Sequence, residues 1–407
     1  MYDLPVIVIE TPDGEEIKSR TKRKENCKVS VVQDNRMMQI DFAGIRGRGN
    51  STWTDSPQKP YDIVLKEDHS MLGMNSSQQW ILLASGYFDR TQLHNATAFE
   101  MARLTDYPWV QEGRFVELML NGEHKGLYYL CEKVEPGENK INMSVSTDES
   151  GDGYLSSYLL ETECYPYEGD VFFVTDYINT TGWTFENTIH WKFKFPSSKN
   201  LDQGQMERIK NELNHLESLI SNDDSLKAGT YRDYFDIESA INWLLVEDAT
   251  MNMEAASSKN IYLYKSDKDG KFHFGPPWDF DAWTFGDREM EQSIIPYALY
   301  YRQLMKDPFF VQRLREKWTY YKSIWEQKIP SFIDEQYGNI RRAALRNETM
   351  YTNMYKKFRD SRPWYSPRRM AHIIIHPYRS YDQLIPKMKK SLLEQLNVMD
   401  ERIFENE

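Results

Sequence analysis

Residues 272–286 read FHFGPPWDFDAWTFG. Two aspartates, Asp279 and Asp281, stand in a run of aromatics, glycine and proline. Packed cores exclude carboxylates unless something pairs with them. A metal ion is one such partner. The strand pair before this stretch, IYLYK (261–265) and KFHFG (271–275), brackets a turn at 266–270. Closing that hairpin brings Asp279 back beside Asn260. Upstream lie Glu247, Asp248, Asn252 and Glu254. Mg²⁺ takes hard oxygen ligands and accepts one or two carboxylates plus an amide while keeping water and phosphate oxygens. An acid, Asn260 and Asp279 at the base of one hairpin supply that set. The competing reading is a structural cluster of caps and turn residues paired with Lys259 and Lys265.

Working outward, IRGRGNSTW (45–53) holds Gly47, Gly49 and Asn50 between Arg46 and Arg48. Its glycines free the backbone so that successive N–H groups can converge on an anion. An ordinary tight turn with solvated arginines is the alternative. G-x-G-x-x-G is absent, so this is not the dinucleotide fingerprint. Lys59 follows the loop just before a strand, where nucleotide phosphates are often gripped. A surface lysine is the plainer reading. Glu132 ends a hairpin strand and either faces a cleft or pairs with Lys125 or Lys133.

The pattern along the chain predicts a β-rich lobe over 1–135, a polar joint at 136–153 and a mainly helical lobe over 136–407. Strands are expected at 5–9, 27–33, 38–45 and 61–66. An amphipathic helix is expected over 88–104. Residues 114–134 form a hairpin turned by Asn121-Gly122. YLSSYLLETE, VFFVT and IHWKFKF add strands, and helices dominate from 203, with breaks at 327–331 and 361–377.

The net charge is −12, from 62 acidic and 50 basic residues, which argues against broad nucleic-acid binding. No run of 18 apolar residues exists, so no transmembrane segment is expected. The opening MYDLPVIVIETPDGEEI lacks a basic n-region and a long apolar run. It reads as the first strand of a mature domain. Cys27, Cys131 and Cys164 give neither a disulfide framework nor a zinc pattern. Asn179-Thr180-Thr181 would fit glycosylation only in a eukaryotic secretory setting.

Taken in order, IRGRGNSTW…KPYDIVL, WILLASGYFDRTQLHNATAFEMA, VELMLNGEHKGLYYLCEKV and GPPWDFD resemble the CotH kinase family, the spore-coat-protein-H-like atypical protein kinases, in its bacterial cell-envelope branch. The resemblance implies an α+β, atypical protein-kinase-like fold with a nucleotide cleft between two lobes. It implies ATP with Mg²⁺ or Mn²⁺, transfer to serine or threonine hydroxyls of a protein substrate, and export to the cell envelope or extracellular surface. It places the phosphate loop at Gly47–Asn50, the phosphate lysine at Lys59, the inter-lobe glutamate at Glu132 and the metal aspartate at Asp279; Asn260 and Asp281 are the further metal ligands expected from the residues themselves. The chain departs from the family pattern at Glu254, where the family has the catalytic aspartate of Asn-x-Asp. The interval to Asn260 is one residue longer, and His94 replaces an arginine. Glu254 is therefore the expected base and Asp248 its fallback. A surface-binding module on the same fold is the rival function.

Overall fold

The computed structural model describes residues 3–34, 36–85, 88–137, 139–141, 143, 155–163, 171–178, 188–286, 293–294, 298–352 and 380–404. Cys164, the Asn179 triplet, most of the 136–153 joint and the 361–377 break lie outside the described residues.

Eight strands build the first sheet: β1 (Val6–Glu10), β2 (Lys24–Glu25), β3 (Lys28–Gln33), β4 (Arg36–Gly47), β5 (Tyr61–His69), β6 (Ser77–Leu83), β7 (Gly113–Leu120) and β8 (Glu123–Glu132). Their order is β2-β4-β3-β1-β7-β8-β6-β5, and β4 also pairs with β5. That extra pairing curls the sheet back on itself. Ile7, Ile9, Val29, Ile45, Ile63, Trp80, Val116, Leu118 and Leu130 fill the interior. Alternation along β1 explains the choice of face, since Ile7 and Ile9 point the same way. The β7–β8 turn is Asn121-Gly122 with φ of 51° and 78°. Both central residues of a type I′ turn need positive φ, which Asn and Gly tolerate best.

The glycine loop between β4 and β5 carries a one-turn helix, α1 (Ser51–Thr54). Helix α2 is shorter than expected, His94–Arg103. Residues 89–93 instead wrap the Asp89 carboxylate, which accepts from Thr91 Oγ1 (2.6 Å), Gln92 N (2.8 Å) and His94 N (2.9 Å). Nor is α2 amphipathic in place: His94 through Phe99 are all buried. A helix covered on every side is a core helix.

The second sheet has β9 (Tyr158–Glu163), β10 (Phe172–Ile178), β11 (Thr188–Phe195), β12 (Tyr262–Lys265) and β13 (Phe272–Phe274), in the order β10-β11-β9-β12-β13. Around it pack α3 (Gln203–Ser221), α4 (Asp223–Ala228), α5 (Ile237–Ala249), α6 (Met253–Ala256), α7 (Tyr301–Leu304) and α8 (Pro308–Met350), with a closing helix at Tyr381–Phe404. The chain is thus an α+β, kinase-like two-lobed fold. The break expected at 327–331 is not there: α8 runs 43 residues straight through Pro330. A proline forfeits one helical hydrogen bond. Buried Trp318, Trp325, Ile329 and Ile333 hold that stretch in place regardless.

At about 65 Å, α8 reaches from the helical lobe to the back of the first sheet. Asn347 Oδ1 accepts from Leu127 N (3.0 Å) and Gln58 Nε2 (3.2 Å), and its Nδ2 donates to Gln58 Oε1 (3.1 Å). Arg346 pairs with buried Glu117, and Arg90 with Glu348 (2.7 Å). The strut needs Gly126, where a Cβ would lie 2.1 Å from Asn347 Oδ1. Among the described residues no helix is long and apolar enough to cross a membrane.

Candidate active site

A cavity of about 740 Å³ opens between the two sheets. Its floor answers the question posed by residues 278–286. Trp278 stacks on Phe99 (5.8 Å between centroids) and Phe280 meets the same ring edge-on (6.1 Å). The aromatics are anchors driven into α2, and the acids between them face the cavity.

Polar ties fix the loop. Asn95 Oδ1 accepts from Phe280 N (3.1 Å), Thr284 Oγ1 bonds His94 Nδ1 (2.9 Å), and Phe285 N donates to Thr250 O (2.8 Å). Asp279, Trp283 and Phe285 all have positive φ, 70°, 61° and 50°. Such backbone costs energy and persists only where the surroundings over-determine it. Here α2 and the end of α5 do so. His94 is one of those ties.

The neighbouring loop delivers Glu254. Asn252 caps α6, its Oδ1 accepting from Glu254 N (3.1 Å), while its Nδ2 donates to Asp279 O (3.4 Å). One helical turn then presents Glu254. Asn260, at φ 59°, donates from Nδ2 both to Glu254 Oε2 (3.0 Å) and to Asp279 Oδ2 (2.7 Å). Lys259 Nζ donates to both Glu254 oxygens (3.1 and 3.0 Å). Asp281 joins from the same loop. Its carboxyl is pushed well above the ordinary range, first by burial and then by the facing charges of Asp279 and Glu254. Crowded hard oxygen donors of this kind suit a divalent cation, which would relieve their repulsion. Among the described residues no three His, Cys, Asp or Glu side chains gather closely enough to cage a metal alone. A cation here would therefore share Asp279, Asp281 and the Asn260 amide with water and substrate oxygens.

The roof comes from the first sheet. Arg46, Gly47, Arg48, Gly49 and Asn50 all line the cavity. Arg20 latches the loop by donating to Gly49 O (2.6 Å) and Asn50 Oδ1 (2.9 Å). The loop's glycines are required by close approach. A Cβ on Gly47 would lie 2.2 Å from the Trp53 ring, and Gly49 has φ 79°. Arg48 reaches down over the Trp278 ring (5.5 Å) and so touches the floor.

Three expected residues are not brought to the cavity. Lys59 donates to Trp53 O and lies 5.6 Å over the Trp53 ring, tying down α1. Glu132 is fully buried, accepts from Glu112 N (2.8 Å) and has its carboxyl raised by burial. Consecutive residues of an extended chain face opposite ways, so Lys133 is the one at the cavity wall. Asp248 is buried on α5, accepting from Ile294 N (2.7 Å) and Ser293 Oγ (3.3 Å). Burial raises it to about 6, and it packs a loop rather than meeting substrate. The sequence reading missed Lys133, Arg20 and Asp62. For Lys133 the signal was present, since naming Glu132 already poses the choice between two faces.

A glycine loop over a curled sheet, set above a hairpin base that carries Glu254, Asn260 and Asp279, is the plan of a kinase-like protein. Residues 45–375 match the family described as CotH kinase protein. No curated protein matches the chain. The match spans most of the chain, and the protein belongs to the CotH kinase family. Membership supports a kinase-like function in general.

Proposed function

We propose that the protein is an ATP- and Mg²⁺-dependent (or Mn²⁺-dependent) kinase that phosphorylates serine or threonine hydroxyls of a protein substrate. The observation that carries this reading is the Asn260 amide, which donates at once to Glu254 and Asp279 beneath a cationic roof. Phosphoryl transfer needs positioning and charge neutralisation more than covalent chemistry. Asp279, Asp281 and Asn260 would hold the cation, whose chemistry is to neutralise charge on the phosphate oxygens. Arg46, Arg48 and Lys133 offer donors from above. Glu254 accepts the proton of the incoming hydroxyl as that oxygen bonds the γ-phosphorus. The bond from the γ-phosphorus to the bridging oxygen breaks, ADP leaves with the electron pair, and Glu254 returns its proton to water. The proposed setting, the cell envelope or outer surface after export, rests on the family resemblance alone.

A second reading is a surface-binding module without transfer. The observation favouring it is that Lys259 and Asn260 both engage the Glu254 carboxylate. Radiolabel transfer from ATP by the wild type, Asp279→Asn and Glu254→Gln separates the two. Label incorporated by the wild type and lost in both folded variants supports the kinase. No label above background in the wild type overturns it.

A further inference from the structure

Asp62, the second residue of β5, is 4% exposed, yet three cations act on it. Its Oδ1 accepts from Arg23 Nη2 (3.0 Å), and its carbonyl from Arg23 Nη1 (3.3 Å). Its Oδ2 accepts from Arg46 Nε (3.1 Å) and Nη2 (2.9 Å), directly across the β4–β5 pair. Burial alone would raise its carboxyl, but Lys133, Arg23 and Arg46 outweigh it and hold the group ionised. The Lys133 ammonium is pushed below its ordinary value by burial and donates to Gln79 Oε1.

Asp62 is thus paired with both arginines and acts on Lys133 through space, an ammonium that Glu135 also attracts; Arg46, Lys133, Asp62, Gln79 and Glu135 all line the cavity. Two arginines on one carboxylate leave positive charge at the cavity wall that a further anion can meet. The layering shows where it would come from. The Arg46 side chain is 34% exposed and that of Asp62 6%. An anion entering the cavity meets the guanidinium first and the carboxylate behind it.

We propose that Asp62 is a built-in counter-anion that holds Arg46 and Lys133 ready at the cleft roof and yields them to the terminal phosphates of the nucleotide. The inference rests on reading the cleft as a nucleotide site and names how that site is kept charged while empty. Arginine and buried lysine are strong phosphate donors only when an acceptor can reach them. Asp62 is thus a positioning residue that competes with phosphate. Replacing it by asparagine lowers KM for ATP.

The test is metal-free titration of inorganic tripolyphosphate into the full chain, by calorimetry with EDTA present. Asp62→Asn is expected to bind about tenfold more tightly than wild type, as one competing charge is removed at contact distance. Asp62→Glu is expected to match wild type, and Lys133→Met to bind at least about tenfold more weakly. Unchanged or weaker binding by folded Asp62→Asn overturns the proposal. If that variant does not fold, the other two decide: wild-type binding by Lys133→Met, or altered binding by Asp62→Glu, overturns it. A chain that follows this pattern yet transfers no phosphoryl group upholds the counter-anion and sinks the kinase reading. A chain that transfers while ignoring these substitutions does the reverse.

Discussion

Glu254→Gln separates the chemical step from nucleotide binding. The carboxylate sits outside the phosphate-facing roof, held by two contacts from Lys259 and one from Asn260. Glutamine keeps the side-chain length and one acceptor oxygen. It loses the charge and turns an amide toward two donors. Glu254 and Lys259 are mostly buried, with side-chain exposures of 12% and 17%. The mismatch costs roughly 1–3 kcal/mol of stability, which a domain of this size survives. If Glu254 takes the hydroxyl proton, kcat falls by about 10²–10⁴. KM for ATP stays within about twofold, because no phosphate donor is removed. Steady-state transfer and a melting curve on the same preparation read all three quantities. Turnover within about fivefold of wild type in a folded variant would refute Glu254 as the base. A raised KM with unchanged kcat would reassign it to nucleotide binding.

Lys59→Met should leave nucleotide affinity unchanged in equilibrium titration, since its ammonium is spent on the Trp53 carbonyl; a tenfold loss would restore it to the phosphate site. Asn347→Ala strips partners from buried Leu127 N and Gln58 and should cost roughly 2–4 kcal/mol in urea unfolding; a cost below about 1 kcal/mol would mean that α8 does not brace the first sheet. Glu217 is buried, accepts from Tyr300 Oη (2.5 Å) and is raised by burial from 4.5 to about 7. Because the folded value is the higher one, its contribution is fully present below about 4.5 and drains away as pH rises to about 7. Glu217→Gln should therefore match wild type near pH 4.5 and exceed it at pH 8 by on the order of 3 kcal/mol; a gap that does not widen with pH would contradict this.

What the sequence made legible follows from local chemistry. Asn121-Gly122 announces its hairpin because few residue pairs accept positive φ twice in succession. Asp279 stood out because a carboxylate between tryptophan and phenylalanine has no cheap explanation. Asn260 came with it, since the hairpin between them is short and regular. The failures concern facing and context. Period-two alternation states that Glu132 and Lys133 point apart, but not which of them meets the cavity; the β6–β8 pairing settles that. Lys59 looked like a phosphate lysine by its position after the loop, while the neighbouring Trp53 claims it in space. Strand β6, with Gln78 and Gln79 ahead of an unbroken WILL, lacks alternation and left no signal. Helix α8 continues through Pro330 because tertiary burial outweighs a local breaker.

The most direct measurement is ATP affinity with and without Mg²⁺ in the wild type and in Asp279→Asn. Asparagine tolerates the φ of 70° at that position, so the loop is preserved. The prediction is that Mg²⁺ tightens ATP binding strongly in the wild type and hardly at all in the variant, at similar melting temperatures. Equal tightening in both proteins, or no nucleotide binding by the wild type at millimolar ATP, would contradict a cation seated at Asp279 beneath the roof.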